Sequence, residues 1–134
     1  MILTLPYPIS TNRLHKPNGR GGMMTTDEVK DYKKVVWVLA YMQHAEVLTG
    51  DLLMRMDIYR PQNAGDADNR IKLVQDSLNG IAYKDDKQIS SLQINRFTRP
   101  SNPCVVVEIV QLAEELRPLV VPVIIDYREL LSGY

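Results

Sequence analysis

Residues 52–78 read LLMRMDIYRPQNAGDADNRIKLVQDSL, and the apolar residues change their spacing within this stretch. Every second residue from Leu52 to Ile58 is apolar, which predicts a strand with one face in a core. After the turn-forming PQNAG, apolar residues recur every three or four positions from Ile71 to Leu78. This spacing predicts a helix over about 68–79, with Gly80 as its stop.

The rest of the chain extends this alternation of strands and helices. Further strands are predicted over 2–5, 89–97 and 104–110. A first helix is predicted over about 25–47, because Thr25 and Glu28 have the spacing of a capping box. The glycine-rich basic segment 10–22 is predicted to be a mobile loop. The order β-α-β-α-β-β indicates an α/β fold, with a small mixed sheet of about four strands, two helices packed on it and a C-terminal extension.

Length and composition fit one globular domain of 134 residues. A hydrophobic content of 45% and a charged content of 24% exclude wholesale disorder. The longest apolar runs, at 35–42 and 119–125, are far shorter than the roughly 20 residues that span a bilayer, so no membrane partner is expected. The first residues do not resemble a signal peptide, and Cys104 is the one cysteine. The chain is therefore predicted to be a soluble intracellular protein.

The charges are balanced, with 16 basic and 16 acidic residues, which taken alone argues against a nucleic-acid partner. Their distribution changes this interpretation, because five acids lie within 21 positions, at Asp66, Asp68, Asp76, Asp85 and Asp86. If several of these acids bind a metal ion, the rest of the segment carries an excess of positive charge. Binding to a polyanion then becomes electrostatically possible.

The acids around the second helix form a candidate metal site. Asp66 and Asp68 are two residues apart, so an extended segment points both carboxylates to one side. Such a pair repels unless a proton or a cation neutralises it, and carboxylate oxygens suit Mg²⁺ or Mn²⁺. Lys72 follows Asp68 by one helical turn, and either Asp85 or Asp86 could add a third ligand after the chain reverses. Carboxylates, a metal ion and a lysine suit phosphodiester hydrolysis by a metal-activated water.

Simpler interpretations of these residues stay open at this point. A D-x-D before a helix is typical of a turn and an N-cap, and Asp68 with Lys72 could be an exposed ion pair. Asp85 and Asp86 could belong to a solvated turn. Six cations are candidate DNA contacts, although a solvated charged surface explains each equally well: Arg13, Lys16, Arg20, Arg70, Lys84 and Lys87.

Three motifs of this chain resemble the RusA family of Holliday-junction resolvases, which are found in bacteria and their phages. The motifs are LPYPISTNR at 5–13, D-x-D-N-x-x-K at 66–72, and Asp85-Asp86 with Gln88 after a helix and a turn. The resemblance covers about residues 1–110, which are taken as a nuclease domain. Residues 111–134 are left as a C-terminal extension of unknown role.

This resemblance implies a homodimeric, Mg²⁺-dependent endodeoxyribonuclease, for which Mn²⁺ could substitute as the metal. Such an enzyme binds branched DNA, resolves four-way junctions by paired symmetric nicks, and acts in the bacterial cytosol as a bacterial, phage or prophage product. The implied catalytic set is three metal-binding carboxylates and a lysine, with two additional candidates: Asp66, Asp68, Asp86 and Lys72, then Asp85 and Asn69. Two other functions stay open, namely a non-catalytic DNA-binding or assembly protein and a metal-dependent nucleotide-sugar transferase that uses D-x-D.

Overall fold

The computed structural model of the chain describes residues 1–8, 15–17, 23–25, 27–62, 67–112 and 128. Most of the predicted C-terminal extension, 111–134, therefore lies outside the described residues. The bounds of the strands and α-helices are β1 (Ile2–Pro6), β2 (His15–Pro17), β3 (Met23–Thr25), α1 (Asp27–Met42), β4 (Leu52–Arg60), α2 (Ala67–Ser77), β5 (Ile89–Thr98) and β6 (Cys104–Gln111). A short 3₁₀ helix, Asp86–Gln88, precedes β5.

Four strands form one mixed sheet in the order β1-β6-β4-β5. β6 is antiparallel to both β1 and β4, whereas β4 and β5 are parallel. Parallel neighbours need a crossover connection, and α2 provides it. The carboxyl ends of β1, β4 and β5 consequently lie at the same edge of the sheet, which we call the carboxyl edge. This arrangement confirms the predicted α/β fold with four strands and two helices.

The core lies on one face of this sheet. Every second residue of β4 from Leu52 to Ile58 is at most 2% exposed, as the alternation predicts. Met54, Met56 and Ile58 pair with buried valine and isoleucine residues of β6. α2 buries Ile71 and Val74 in the same cluster, and Leu78, just after the helix, joins them. The residues between them point to the opposite face, which we call the open face because no helix of the described residues covers it.

The segment 10–22, predicted to be a mobile loop, contains β2, and β3 follows directly after it. β2 pairs antiparallel with β3, so that His15 lies opposite Thr25. The loop prediction was wrong for 15–17, because a strand of three residues is too short to show an alternating pattern. Since Thr25 ends β3, it does not cap the first helix, and α1 begins at Asp27.

The first helix also ends earlier than the predicted 47, at Met42. His44 adopts a left-handed conformation with φ of 64°. The N–H groups of His44 and Ala45 donate to the carbonyls of Tyr41 and Ala40 at 3.0 and 2.9 Å, which completes a Schellman motif. Glycine is the usual residue at this position, so a histidine there gave no stop signal in the sequence.

The outer face of α1 is apolar and exposed. Its large side chains are between 45% and 76% exposed, at Val35, Trp37, Val38, Tyr41 and Met42. Two shallow grooves of about 580 and 320 Å³ adjoin Trp37 and Val38. Although this helix is apolar on most sides, no helix of the described residues combines the length and hydropathy needed to cross a membrane. We call the exposed side chains of Val35, Trp37, Val38, Tyr41 and Met42 the outer face of α1.

Candidate metal and nucleic-acid site

α2 carries the D-x-D-N-x-x-K motif at its start. The helix begins one residue before Asp68, and Lys72 and Asp76 follow at intervals of one turn on the same face. An α-helix spaces positions 68, 72 and 76 in a row about 12 Å long, with the exposed Lys72 in the middle. Asp66 lies outside the described residues, and only the backbone is described for Asp68 and Asn69.

The far end of this row meets the turn that follows α2. There the carboxyl groups of Asp76 and Asp86 lie close enough for one of them, when protonated, to donate a hydrogen bond to the other. Burial and the charge of Asp86 raise the pKa of Asp76, whereas the charges of Lys33 and Lys72 oppose that shift. Two carboxyl groups in contact need a proton or a cation to relieve their repulsion. Among the described residues, a cation bound at this pair would relieve the repulsion between the two carboxyl groups most directly.

Asp85 has a structural role in the same turn. Its carboxylate accepts the Lys87 N–H at 2.9 Å and thereby caps the 3₁₀ helix. This hydrogen bond, followed by the contact with Asp86, holds the pKa of Asp85 below its ordinary value. The cap agrees with the simpler interpretation of Asp85 as a turn residue, and metal binding by Asp85 stays a prediction.

Gln88, from the third motif, fixes this turn to the rest of the fold. Its Oε1 accepts the N–H groups of Lys84 and Asp85 at 2.9 and 3.1 Å. Its Nε2 donates to the carbonyls of Leu48 and Gly50, both at 3.0 Å. All four hydrogen-bonding positions of the amide are thus occupied. The acidic turn is tied in this way to the segment that leads into β4.

A buried tyrosine supports the acidic residues from the core side. Tyr83 is 0% exposed, and its hydroxyl donates to the Gln75 carbonyl at 2.6 Å. Burial raises the pKa of Tyr83, and the nearby acids, Asp86 first, raise it further. The phenol therefore stays neutral at physiological pH. Its hydrogen bond joins the turn to α2 and holds Asp76 and Asp86 on one rigid unit.

A metal site among the acids around α2 stays a prediction. Among the described residues, no three acidic, histidine or cysteine side chains converge as a metal-binding group. Asp86 contacts Asp76, two helical turns from Asp68, so the convergence of Asp66, Asp68 and Asp86 on one ion stays a prediction. Carboxylate oxygens are the ligands that Mg²⁺ prefers, and the Asp76–Asp86 contact supplies negative charge that Lys33 and Lys72 offset only in part. The donor set therefore fits a hard divalent cation.

The structure describes the side chains of three of the six predicted DNA contacts. Arg13 and Arg20 lie outside the described residues, and only the backbone of Lys16 is described. Lys84 and Lys87 are exposed and flank the acidic turn. Arg70 is half-buried on α2, with its guanidinium 5.3 Å from the centroid of the Tyr7 ring. Phosphate binding stays a prediction for each of the six.

The sequence pattern placed Asp76 on the polar face of α2 but did not single it out as a candidate ligand. The sequence feature that could have identified Asp76 is its position one helical turn after Lys72. That spacing cannot reveal the contact with Asp86, which depends on how the chain returns after the helix.

Comparison with known proteins gives a family match that includes the motifs of this site. The model of the family "Endodeoxyribonuclease RusA" matches residues 6–110, which include the D-x-D-N-x-x-K motif and the paired aspartates. The uncharacterized protein YqaN of Bacillus subtilis (strain 168) is 28% identical over 103 residues, covering 60% of this chain and 72% of that protein. The family match spans well over half of the chain. The chain therefore belongs to the RusA endodeoxyribonuclease family, a family of Holliday-junction resolvases.

Proposed function

We propose that this chain is a Mg²⁺-dependent endonuclease that resolves four-way DNA junctions as a homodimer, with one nick in each of two symmetry-related strands. The family match over 6–110 supports nuclease activity on branched DNA. The observation that carries the metal dependence is the contact between Asp76 and Asp86 beside Lys72. Mn²⁺ has the same preference for oxygen ligands and is expected to substitute. The site of action is then the bacterial cytosol.

The carboxylates of this site are proposed to hold the metal at the start of α2 and the turn after it. Asp66, Asp68 and Asp86 are the proposed ligands, and Asp76 adds a fourth carboxylate that contacts Asp86. A bound divalent cation would lower the pKa of a water and polarise a phosphoryl oxygen. Gln88 holds the turn that carries Asp86 in place.

Lys72 is proposed to stabilise negative charge on the reacting phosphate. Its ammonium group lies on the exposed side of α2, one turn from both Asp68 and Asp76. A phosphodiester gains negative charge on its oxygens during hydrolysis, and a fixed cation lowers the energy of that state. Lys33 of α1 is close enough to Asp76 to affect its pKa and adds positive charge at the same place.

The proposed homodimer fits the symmetry of the substrate. A four-way junction has two equivalent strands, so a two-fold dimer presents one site to each. The outer face of α1 is the described apolar surface best suited to the dimer contact, because Trp37 and Val38 are exposed beside grooves. The C-terminal extension, including 119–125, is the second proposed contact.

Cleavage of a synthetic four-way junction with and without Mg²⁺ tests the proposal. Wild type should produce paired nicks, whereas Asp86→Asn and Lys72→Ala should lose at least about 100-fold in rate while binding the junction, since each removes a group that acts on the reacting phosphate. Asp31→Asn and Lys30→Ala remove exposed charges from α1 and serve as matched controls with unchanged activity.

Two results would contradict the proposal. An inert junction with wild-type protein across metals, salt concentrations and pH would reject the nuclease. Full activity in Asp86→Asn or Lys72→Ala would show that the site has been assigned to the wrong residues.

A further inference from the structure

The open face of the sheet ends in a cluster of aromatic rings at the carboxyl edge. Tyr59 of β4 and Phe97 of β5 lie directly opposite each other on the two parallel strands. Their rings stack with centroids 5.2 Å apart and an angle of 21° between the planes. Just past the end of β5, Arg99 places its guanidinium carbon 5.6 Å from the centroid of the Tyr59 ring. We call Tyr59, Phe97 and Arg99 the edge cluster.

The edge cluster is left in solvent, whereas the other face of the same strands is buried. Phe97 is 46% exposed, Arg99 is exposed and Tyr59 is half-buried. One row further along the open face the surface is already polar, since Asn95 donates to Asp57 at 2.8 Å. The aromatic surface is therefore confined to the carboxyl edge. A cross-strand aromatic pair stabilises the sheet, and the part of these rings that stays in solvent is free to contact a ligand.

The edge cluster carries the positive charge of Arg99. Segments 58–62 and 96–107 contain no acidic residue. Arg60 and Arg96 also belong to these segments, but they alternate with Tyr59 and Phe97 and point to the other face of the strands. The Arg60 carbonyl accepts the Arg99 N–H at 2.6 Å, which holds Arg99 beside the end of β4. Aromatic faces beside this exposed guanidinium complement a ligand that has both flat rings and negative charge.

We propose that the edge cluster stacks an unpaired or unstacked base of branched DNA, while Arg99 contacts the adjoining phosphate. The identity of the ligand as DNA rests on the proposed function. Aromatic side chains stack on every base, and an arginine lying over a tyrosine keeps its N–H edges free for phosphate. Tyr59 precedes Asp66 by seven residues, so the chain leads from the edge cluster directly to the proposed metal site.

This arrangement gives a physical reason for structure selectivity. A continuous duplex hides the faces of its bases by stacking and offers only base edges in its grooves. Base faces become accessible in single strands and where stacking is interrupted at a branch point. The edge cluster therefore prefers branched DNA to continuous duplex, without any preference for a base sequence.

The test measures binding in the absence of divalent metal, so that cleavage does not interfere. The probes are a synthetic four-way junction, a continuous duplex of equal length and a single-stranded oligonucleotide. Phe97→Ala should weaken binding to the junction and the single strand about 5- to 100-fold, the range seen when one stacked base is lost, and should leave duplex binding unchanged. Phe97→Leu keeps the apolar volume without a ring and should lose affinity in the same direction.

Arg55→Ala is the matched control for the loss of an arginine. Arg55 lies on the same open face, but Asp57 and Glu108 lie 3.4 and 3.9 Å from its guanidinium and neutralise it. Its removal should change junction binding by no more than about twofold, whereas Arg99→Ala should weaken it more because its charge faces the phosphates. A junction with 2-aminopurine at the crossover adds a direct readout, since wild type should quench its fluorescence and Phe97→Ala should not.

The outcomes separate this inference from the proposed nuclease. If Phe97→Ala binds the junction and the single strand like wild type while wild type cuts junctions, the edge cluster is rejected and the nuclease survives. If wild type binds single strands through Phe97 but cuts no junction, the edge cluster is supported and the nuclease is rejected. Equal losses in Phe97→Ala and Arg55→Ala, or self-association without DNA that depends on Phe97, would also overturn the inference.

Discussion

Replacing Asp76 with asparagine tests the acidic cluster through stability as well as activity. Asparagine keeps a hydrogen bond to Asp86 but removes one of two adjacent negative charges. Two unit charges about 4 Å apart repel by about 1 kcal/mol in water and by more inside a protein, and Asp76 is partly exposed, so we take the value for water. Because asparagine also loses the attraction of Lys33 and Lys72, metal-free Asp76→Asn should be more stable by less than about 1 kcal/mol at neutral pH, with a melting temperature raised by less than about 3 °C.

The same charge predicts how stability depends on pH. The pKa of Asp76 is raised in the fold, by burial first and then by Asp86, so folding favours its protonated form. Its stabilising contribution is present below the ordinary pKa of an aspartate and is lost as pH rises through the raised value. Metal-free wild type should lose stability across this mildly acidic range, and Asp76→Asn should lose less.

Urea and thermal unfolding in EDTA and in Mg²⁺ provide the measurement. Mg²⁺ should raise the free energy of unfolding of wild type more than that of Asp76→Asn. A ligand that binds only the folded state stabilises that state more when it binds more tightly. Asp31→Asn, which removes an exposed acid of α1, should respond to Mg²⁺ like wild type. The reasoning fails if Asp76→Asn is less stable than wild type in EDTA, or if Mg²⁺ stabilises both proteins equally.

Three further predictions concern the elements around the site. Gly50→Ala should lower the free energy of unfolding by about 1 kcal/mol, because its φ is positive. Gly80→Ala should lower it by about 1 kcal/mol more and shift Trp37 fluorescence, because the new Cβ would lie 3.0 Å from that ring. Equal losses of stability in the two variants would contradict this prediction. Gln88→Ala should lose about 2 kcal/mol in urea unfolding through its four hydrogen bonds, while the exposed Gln93→Ala should lose little, and a Gln88→Ala protein of full stability would refute the anchoring role. Val38→Asp should yield monomers in sedimentation if the outer face of α1 is the dimer contact, with Lys30→Ala as the control; an unchanged dimer would exclude this face.

Much of the fold could be predicted because its signals are local. Alternation from Leu52 to Ile58 and helical spacing from Ile71 to Leu78 each place apolar side chains on one face, and both faces are buried. The motif at 66–72 and the paired aspartates were sufficient to indicate the RusA family, and the match over 6–110 confirms it. The ribbon of β2 and β3 and the stop at His44 left no comparable local signal.

The sequence by itself determined the four strands of the sheet, the presence of two helices and the candidate chemistry, because the period of apolar side chains and the spacing of a motif are properties of neighbouring residues. Only the tertiary structure decided which distant groups meet. Asp76 and Asp86 come into contact because the turn fixed by Gln88 returns the chain to the end of α2. Tyr59 and Phe97 stack because β4 and β5 pair in one parallel register, and a register depends on the packing of the whole sheet.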